Sequence, residues 1–213
     1  MAFLETFDSY INGATLEGQN GGSGWSNAWS MTTDDGSYTI STTQNVSVPN
    51  SVQFGAGVSG NRMVRTLSSA PSAGTCYFSC WSSGVTSNNK AFMLHATHGG
   101  SDTIIVFLNI NSDSKWSIYN GSSFITLGDG NDSTWHRIGI EWDNAGHANQ
   151  ARYNYDGGAF TSWFNVNGGA FSSISDVALY NPSNVGTLYI DNISDSYTVL
   201  TSTAHRPLLG VGQ

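Results

Sequence analysis

Apolar and polar residues alternate strictly through Trp135-His136-Arg137-Ile138-Gly139-Ile140-Glu141-Trp142-Asp143. His136, Ile138, Ile140 and Trp142 fall on one side, and Trp135, Arg137, Glu141 and Asp143 on the other. A period of two sends successive side chains to opposite faces of a strand, so this segment is predicted to be a strand with one buried face. Tyr153-Asn154-Tyr155-Asp156-Gly157-Gly158-Ala159-Phe160 follows, its Asp-Gly step set between aromatic-rich flanks, which signals a short hairpin. Similar runs recur near 3–8, 37–48, 51–55, 61–67, 75–82, 91–97, 103–111, 115–119, 123–127, 150–156, 159–165, 174–181 and 185–200. Gly, Asn, Asp and Ser clusters separate them, and Asn120-Gly121, Asp156-Gly157 and Asn167-Gly168 are turn steps that take up positive φ easily. No long segment keeps a 3.6-residue period with caps. The pattern predicts an all-β fold, two antiparallel sheets packed face to face as a jelly-roll sandwich.

A chain of 213 residues suits one undivided sandwich. We expect a single domain over 1–204, with a loop at 12–24 and a C-terminal extension at 205–213. Charged residues are only 10% of the chain, well below the usual quarter, so the surface must be mostly Ser, Thr, Asn and Gly. The formal charge is −8, and Lys90, Lys115 and five arginines form no basic cluster. That argues against a nucleic-acid partner and against an anionic membrane surface. No apolar run approaches the ~20 residues that span a bilayer, and Met1-Ala2-Phe3-Leu4-Glu5 does not open like a secretory signal. Cys76 and Cys80 share one predicted strand, which places their α-carbons about 13 Å apart. A disulfide needs less than ~7 Å, so free buried thiols are expected.

A Trp-His strand opener, an acidic strand end and the Tyr-x-Asp-Gly hairpin together resemble the laminin-G-like, concanavalin A-like jelly rolls. Phe3-Leu4-Glu5-Thr6-Phe7-Asp8 with Gly24-Trp25 looks like their first strand, and Tyr189-Ile190-Asp191-Asn192-Ile193 like their last. The resemblance implies a structural calcium where those strands meet, held by Glu5 and Asp191 with Asp8 as a third ligand, carboxylates being what this hard cation prefers. The alternative is that Asp191 and Asn192 simply shape the final strand. Asp129-Gly130-Asn131-Asp132 is a second acidic stretch, which reads as a turn, with an ion loop as the alternative.

The same folds include glycan hydrolases, whose retaining members need two carboxyls ~5–5.5 Å apart. Glu141-Trp142-Asp143 begins the Glu-x-Asp-x-x-Glu pattern of the β-glucanase type, but Gly146 stands where the second Glu belongs. A lyase would use a Tyr or His near a basic group, yet His136 shares its face with Ile138 and Ile140, and reads as a partly buried, satisfied histidine. There is no Gly-x-Ser-x-Gly nucleophile elbow. We therefore expect no enzyme. Glycan binding needs aromatic platforms, and Trp116, Tyr119, Tyr153, Tyr155 and Trp163 lie in neighbouring strand segments, competing with core filling for each ring.

The function expected is a structural or adhesive protein, most concretely a bacteriophage virion component such as a capsid decoration or tail-associated subunit. It would assemble in the host cytoplasm and be exposed on the virion surface, with capsid or tail proteins and like subunits as partners and surface polysaccharide as ligand. Free thiols and an uncharged polar skin suit that history. The alternatives are an extracellular carbohydrate-binding module from a larger enzyme and an unrecognised glycan-active enzyme. Pro207, Leu208, Leu209 and Val211 form an apolar tail that either docks on a partner or folds back on the sandwich.

Overall fold

The computed structural model describes residues 2–31, 38–55, 62–85, 89–98, 101–110, 113–119, 123–166, 170–180 and 186–197. The apolar tail at 207–211 and the extension at 205–213 lie outside them. The described elements are β1 (Leu4–Glu5), β2 (Ser30–Met31), β3 (Tyr38–Ser41), β4 (Ser51–Phe54), β5 (Arg62–Thr66), β6 (Ala73–Ser83), β7 (Asn89–His98) and β8 (Ser101–Ile110). They continue with β9 (Lys115–Tyr119), β10 (Phe124–Asp129), β11 (Asp132–Asp143), β12 (Gln150–Tyr155), β13 (Phe164–Asn165), β14 (Asp176–Tyr180) and β15 (Thr187–Ser194).

They form two antiparallel sheets. One runs β13-β12-β11-β6-β15-β4-β3, with β1 also paired to β15 to make eight strands; the other has seven and runs β10-β9-β8-β7-β14-β5-β2. The fold is a two-sheet antiparallel sandwich, as the residue pattern implies. Its core fills from both sheets: Cys76, Phe78, Ile138, Ile140, Trp142 and Ile190 from one, Phe92, Leu108, Trp116, Ile118 and Leu179 from the other. Phe78 stacks on Phe92 with ring centres 3.8 Å apart, and Tyr38 Oη donates to the Leu179 carbonyl at 2.9 Å, so both an aromatic pair and a hydrogen bond tie the sheets together.

β11 follows the predicted alternation. Ile138, Ile140 and Trp142 are buried, while Trp135, Arg137, Glu141 and Asp143 are partly exposed. Trp142 also sets the sequence of its neighbour β6, because a side chain at Gly74 would run into its ring. Cys76 and Cys80 are buried and unpaired on the continuous strand β6.

Several elements differ from the residue pattern. The run at 37–48 is a strand only over Tyr38–Ser41, because the Val46 and Ser47 amides turn away to Asp191. The run at 159–165 is a strand only at Phe164–Asn165, after Thr161 has bonded back to Tyr153 through its backbone amide and its hydroxyl. β2 has two residues, too short for a period to show.

Candidate functional site

The seven-stranded sheet turns aromatic and polar rows to its outward face. Pairing places Phe124 opposite Tyr119, Tyr119 opposite Phe107, Phe107 opposite Met93, Met93 opposite Ala178, and Ala178 opposite Val64. Trp116, Ile118, Leu108, Val177 and Leu179 point into the core. The period of two therefore sends Tyr119, Ala178, Val64 and Tyr180 to the outward face. Val64, Tyr119 and Tyr180 belong with buried Ala178 to one apolar cluster on that face.

Tyr119 and Phe124 line one wall, with ring centres 5.2 Å apart and Phe124 47% exposed. Beside the aromatic row runs a polar one, Asn109 opposite Ser117 and Ser117 opposite Thr126. Asn109 is 1% exposed, and its side-chain Nδ2 has no hydrogen-bond partner. A buried donor left open is uncommon in a folded protein and marks a place for water or a ligand acceptor. On the same face the charged side chains of β5 and β14 are Arg62 and Asp176.

The aromatics singled out in the sequence divide by environment. Trp116 and Tyr153 are core. Tyr155 donates to the Asp129 carbonyl at 2.7 Å and stacks on His136. Trp163 stacks on His147 at 4.1 Å and has the Arg152 guanidinium over its ring at 4.8 Å. Tyr119 is thus the predicted aromatic that lies on this outward face. Phe124, Tyr180 and Asn109 were missed, because a strand's facing is fixed by register and not by composition.

The first and last strands do meet: Leu4 pairs with Ser194 and Glu5 with Ile193. The three carboxylates proposed there separate into two settings. Glu5 is buried and forms an ion pair with buried Arg65. Its carboxylate also accepts from the Phe7 amide at 2.9 Å, Tyr10 Oη at 2.7 Å and Trp29 Nε1 at 3.3 Å. Asp8 and Asp191 instead share Ser47. Its Oγ lies 3.1 and 3.2 Å from the two Asp191 oxygens, 3.4 Å from Asp8 Oδ1 and 3.3 Å from the Thr6 carbonyl. One hydroxyl hydrogen serves only one of those acceptors. Asp191 also accepts from the amides of Val46, Ser47 and Asn192, yet burial, with Asp8 adding repulsion, pushes its pKa up to about 8. Burial raises the Asp8 pKa as well. No group of three or more His, Cys, Asp or Glu side chains suited to a metal occurs among the described residues. The oxygens that do fit a hard cation are Asp8, Asp191, Ser47 Oγ and the Thr6 carbonyl, and Glu5 is engaged elsewhere.

Other candidate groups are held by internal partners. Glu141 is bound by Arg152 through two contacts of 2.8 and 3.1 Å. His136 is buried, with Nδ1 2.8 Å from Asp156 and Nε2 3.1 Å from Asp132. Asp129 pairs with Lys115, and Asn131 bonds Val85, Ser82 and Ser114, so 129–132 is a turn tied into the fold.

No protein-family model and no curated protein matches the sequence. Solved structures do. A sialidase aligns with TM-score 0.56 and 11% identity over 80% of this chain and 17% of its own, so the chain spans about a sixth of that protein. A Bacillus licheniformis beta-glucanase aligns with TM-score 0.52 and 10% identity over 92% of this chain and 98% of its own. Cellulose induced protein Cip1 aligns with TM-score 0.50 and 17% identity over 80% and 91%. At such identities these likenesses establish the concanavalin A-like sandwich.

Proposed function

We propose that this chain is a non-enzymatic glycan-binding protein whose ligand lies on the outward face of the seven-stranded sheet. The observation that carries the reading is the pairing of the Tyr119 and Phe124 wall with the open amide of buried Asn109. A sugar ring offers an apolar C–H face to an aromatic ring and hydroxyls to an amide, and this face carries both kinds of group. The outward side chains named on it are largely uncharged, which favours a neutral stretch of polysaccharide. The non-enzymatic half of the proposal rests on Gly146 in place of a second Glu and on the commitment of Glu141 to Arg152. A panel of immobilised polysaccharides tests it. The wild type is expected to be retarded by at least one neutral glycan, and the Tyr119→Ala, Phe124→Ala double variant to bind it at least tenfold more weakly. Retardation by none of the panel removes the reading, and so does turnover of any glycan for its non-enzymatic half.

We also propose that Asp8, Asp191, Ser47 Oγ and the Thr6 carbonyl hold a structural calcium, whose chemistry is to supply the positive charge these oxygens lack. The virion-surface setting, with capsid or tail proteins and like subunits as partners, is a further proposal supported by composition and resemblance. Co-sedimentation with a phage particle tests it, and recovery solely as a free monomer would remove it.

A further inference from the structure

β6 is paired unequally along its length. β11 follows it as far as Ala73, which lies opposite Asp143. On the other side β15 stops at Ser194, opposite Tyr77. Past that point the chain turns to the first strand instead, the Asp195 amide donating to the Phe3 carbonyl at 3.2 Å. Residues 73–76 therefore have a described partner strand on one side only. Alternate residues of an antiparallel strand turn their N–H and C=O to the same side, so part of this stretch offers an open hydrogen-bonding edge.

The gap beside that edge is a cavity of about 170 Å³, open on one side. Its floor is the buried pair Phe3 and Trp142, and its rim is Pro71, Ala73, Thr75 and Asp195, each at least partly exposed. The floor is held in place: Trp142 Nε1 donates to the Pro71 carbonyl at 3.1 Å, and Phe3 packs on Trp25 with ring centres 5.4 Å apart. Asp195 is the charged group on the lining, and no ion pair or hydrogen bond among the described residues engages its carboxylate. A cavity of ~150 Å³ holds a benzene-sized ring, so this one takes a single side chain and not an oligosaccharide.

We propose that this cavity captures the apolar N-terminal residue of an extended peptide. Three features of the site call for three features of that ligand. The unpaired Asp195 carboxylate takes the terminal ammonium in a charge-assisted hydrogen bond. The floor of Phe3 and Trp142 takes an aliphatic side chain, and the open edge at 73–76 takes the first peptide group as an added strand would. An acetylated terminus removes the charge, and a simple alkylamine lacks the peptide group. The cavity shares no residue with the outward face of the seven-stranded sheet, so the proposal stands whether or not that face binds glycan.

Amide NMR titration of the full chain with Leu-Ala-Ala amide, its N-acetyl form and isobutylamine is the test. The free tripeptide is expected to shift the Gly74, Thr75 and Asp195 amides saturably, with the acetylated form and the amine each at least tenfold weaker. Asp195→Asn keeps the shape of a side chain that makes no hydrogen bond. It is expected to leave the rest of the spectrum in place and to weaken the tripeptide at least tenfold, whereas Tyr119→Ala leaves binding unchanged. Absence of any saturable shift with the tripeptide overturns the proposal. Equal binding of the acetylated form, or unchanged affinity in Asp195→Asn, overturns capture of the ammonium, and equal binding of isobutylamine overturns the role of the strand edge.

Discussion

The two sheets bury similar apolar faces against each other and turn different chemistry outward. Across the eight-stranded sheet the outward residues are Trp135, Trp81 and Tyr189 in one row, then Arg137, Ser79 and Asp191. Arg137 ties three strands together there, and Asp191 gathers the 46–47 amides. Across the seven-stranded sheet the outward row is aromatic and small, with a buried amide left open. Shared inward faces specify the sandwich; the outward faces divide the work. One stabilises the fold through buried polar groups, and the other is the face on which we propose that a ligand binds.

The comparison rests on the common core, so the largest effect belongs there. Trp142→Ala is expected to destabilise the protein by about 3–5 kcal/mol in denaturant unfolding, since the ring is fully buried and Gly74 cannot fill its place. A loss below about 1 kcal/mol would put Trp142 outside the core.

The two faces separate at the next level. Arg137→Gln removes hydrogen bonds from a charged donor and is expected to lower stability by about 1.5–3 kcal/mol. Tyr119→Ala is expected to stay within about 1 kcal/mol of wild type, its ring being only partly buried. The reverse order in matched thermal melts would break the comparison.

Protonation sharpens it. The folded pKa of Asp191 lies above its unfolded value, so the native chain holds a proton that the unfolded chain releases, and stability falls as pH rises from about 4 through about 8. Calcium favours the carboxylate and is expected to flatten that fall. Asp191→Asn should remove both the pH slope and the calcium response, measured as melting temperature against pH with and without the ion. A calcium response that survives Asp191→Asn would place the ion elsewhere. The smallest effect concerns His136, whose pKa is raised by Asp156 and Asp132 against the opposing pull of burial. Its contribution is present in full below the ordinary histidine pKa and is lost as pH rises through the folded value. His136→Gln should shallow the stability slope in that window, and an unchanged slope would mean that the two aspartates hold a neutral ring.

Much of the inward face is readable from sequence because burial imposes a period of two. Ile138, Ile140 and Trp142 show it, and so do the paired positions of Cys76, Phe78 and Cys80. The meeting of the first and last strands was carried by the resemblance through Glu5 and Asp191. What it did not show is Glu5 turned toward Arg65, since an ion pair spanning sixty residues leaves no local signal. The grouping on the seven-stranded sheet's outward face was illegible for the same reason. Tyr119, Asn109, Ala178 and Tyr180 come from three strands, and only the pairing register puts them on one face.

The central claim is that ligand binding resides on the outward face of the seven-stranded sheet. Its most direct test compares Tyr119→Ala, Phe124→Ala with Arg137→Lys in affinity electrophoresis against a neutral polysaccharide that retards the wild type. The account predicts at least a tenfold loss for the double variant at unchanged melting temperature, and wild-type retardation for Arg137→Lys. Wild-type retardation of the double variant would contradict it.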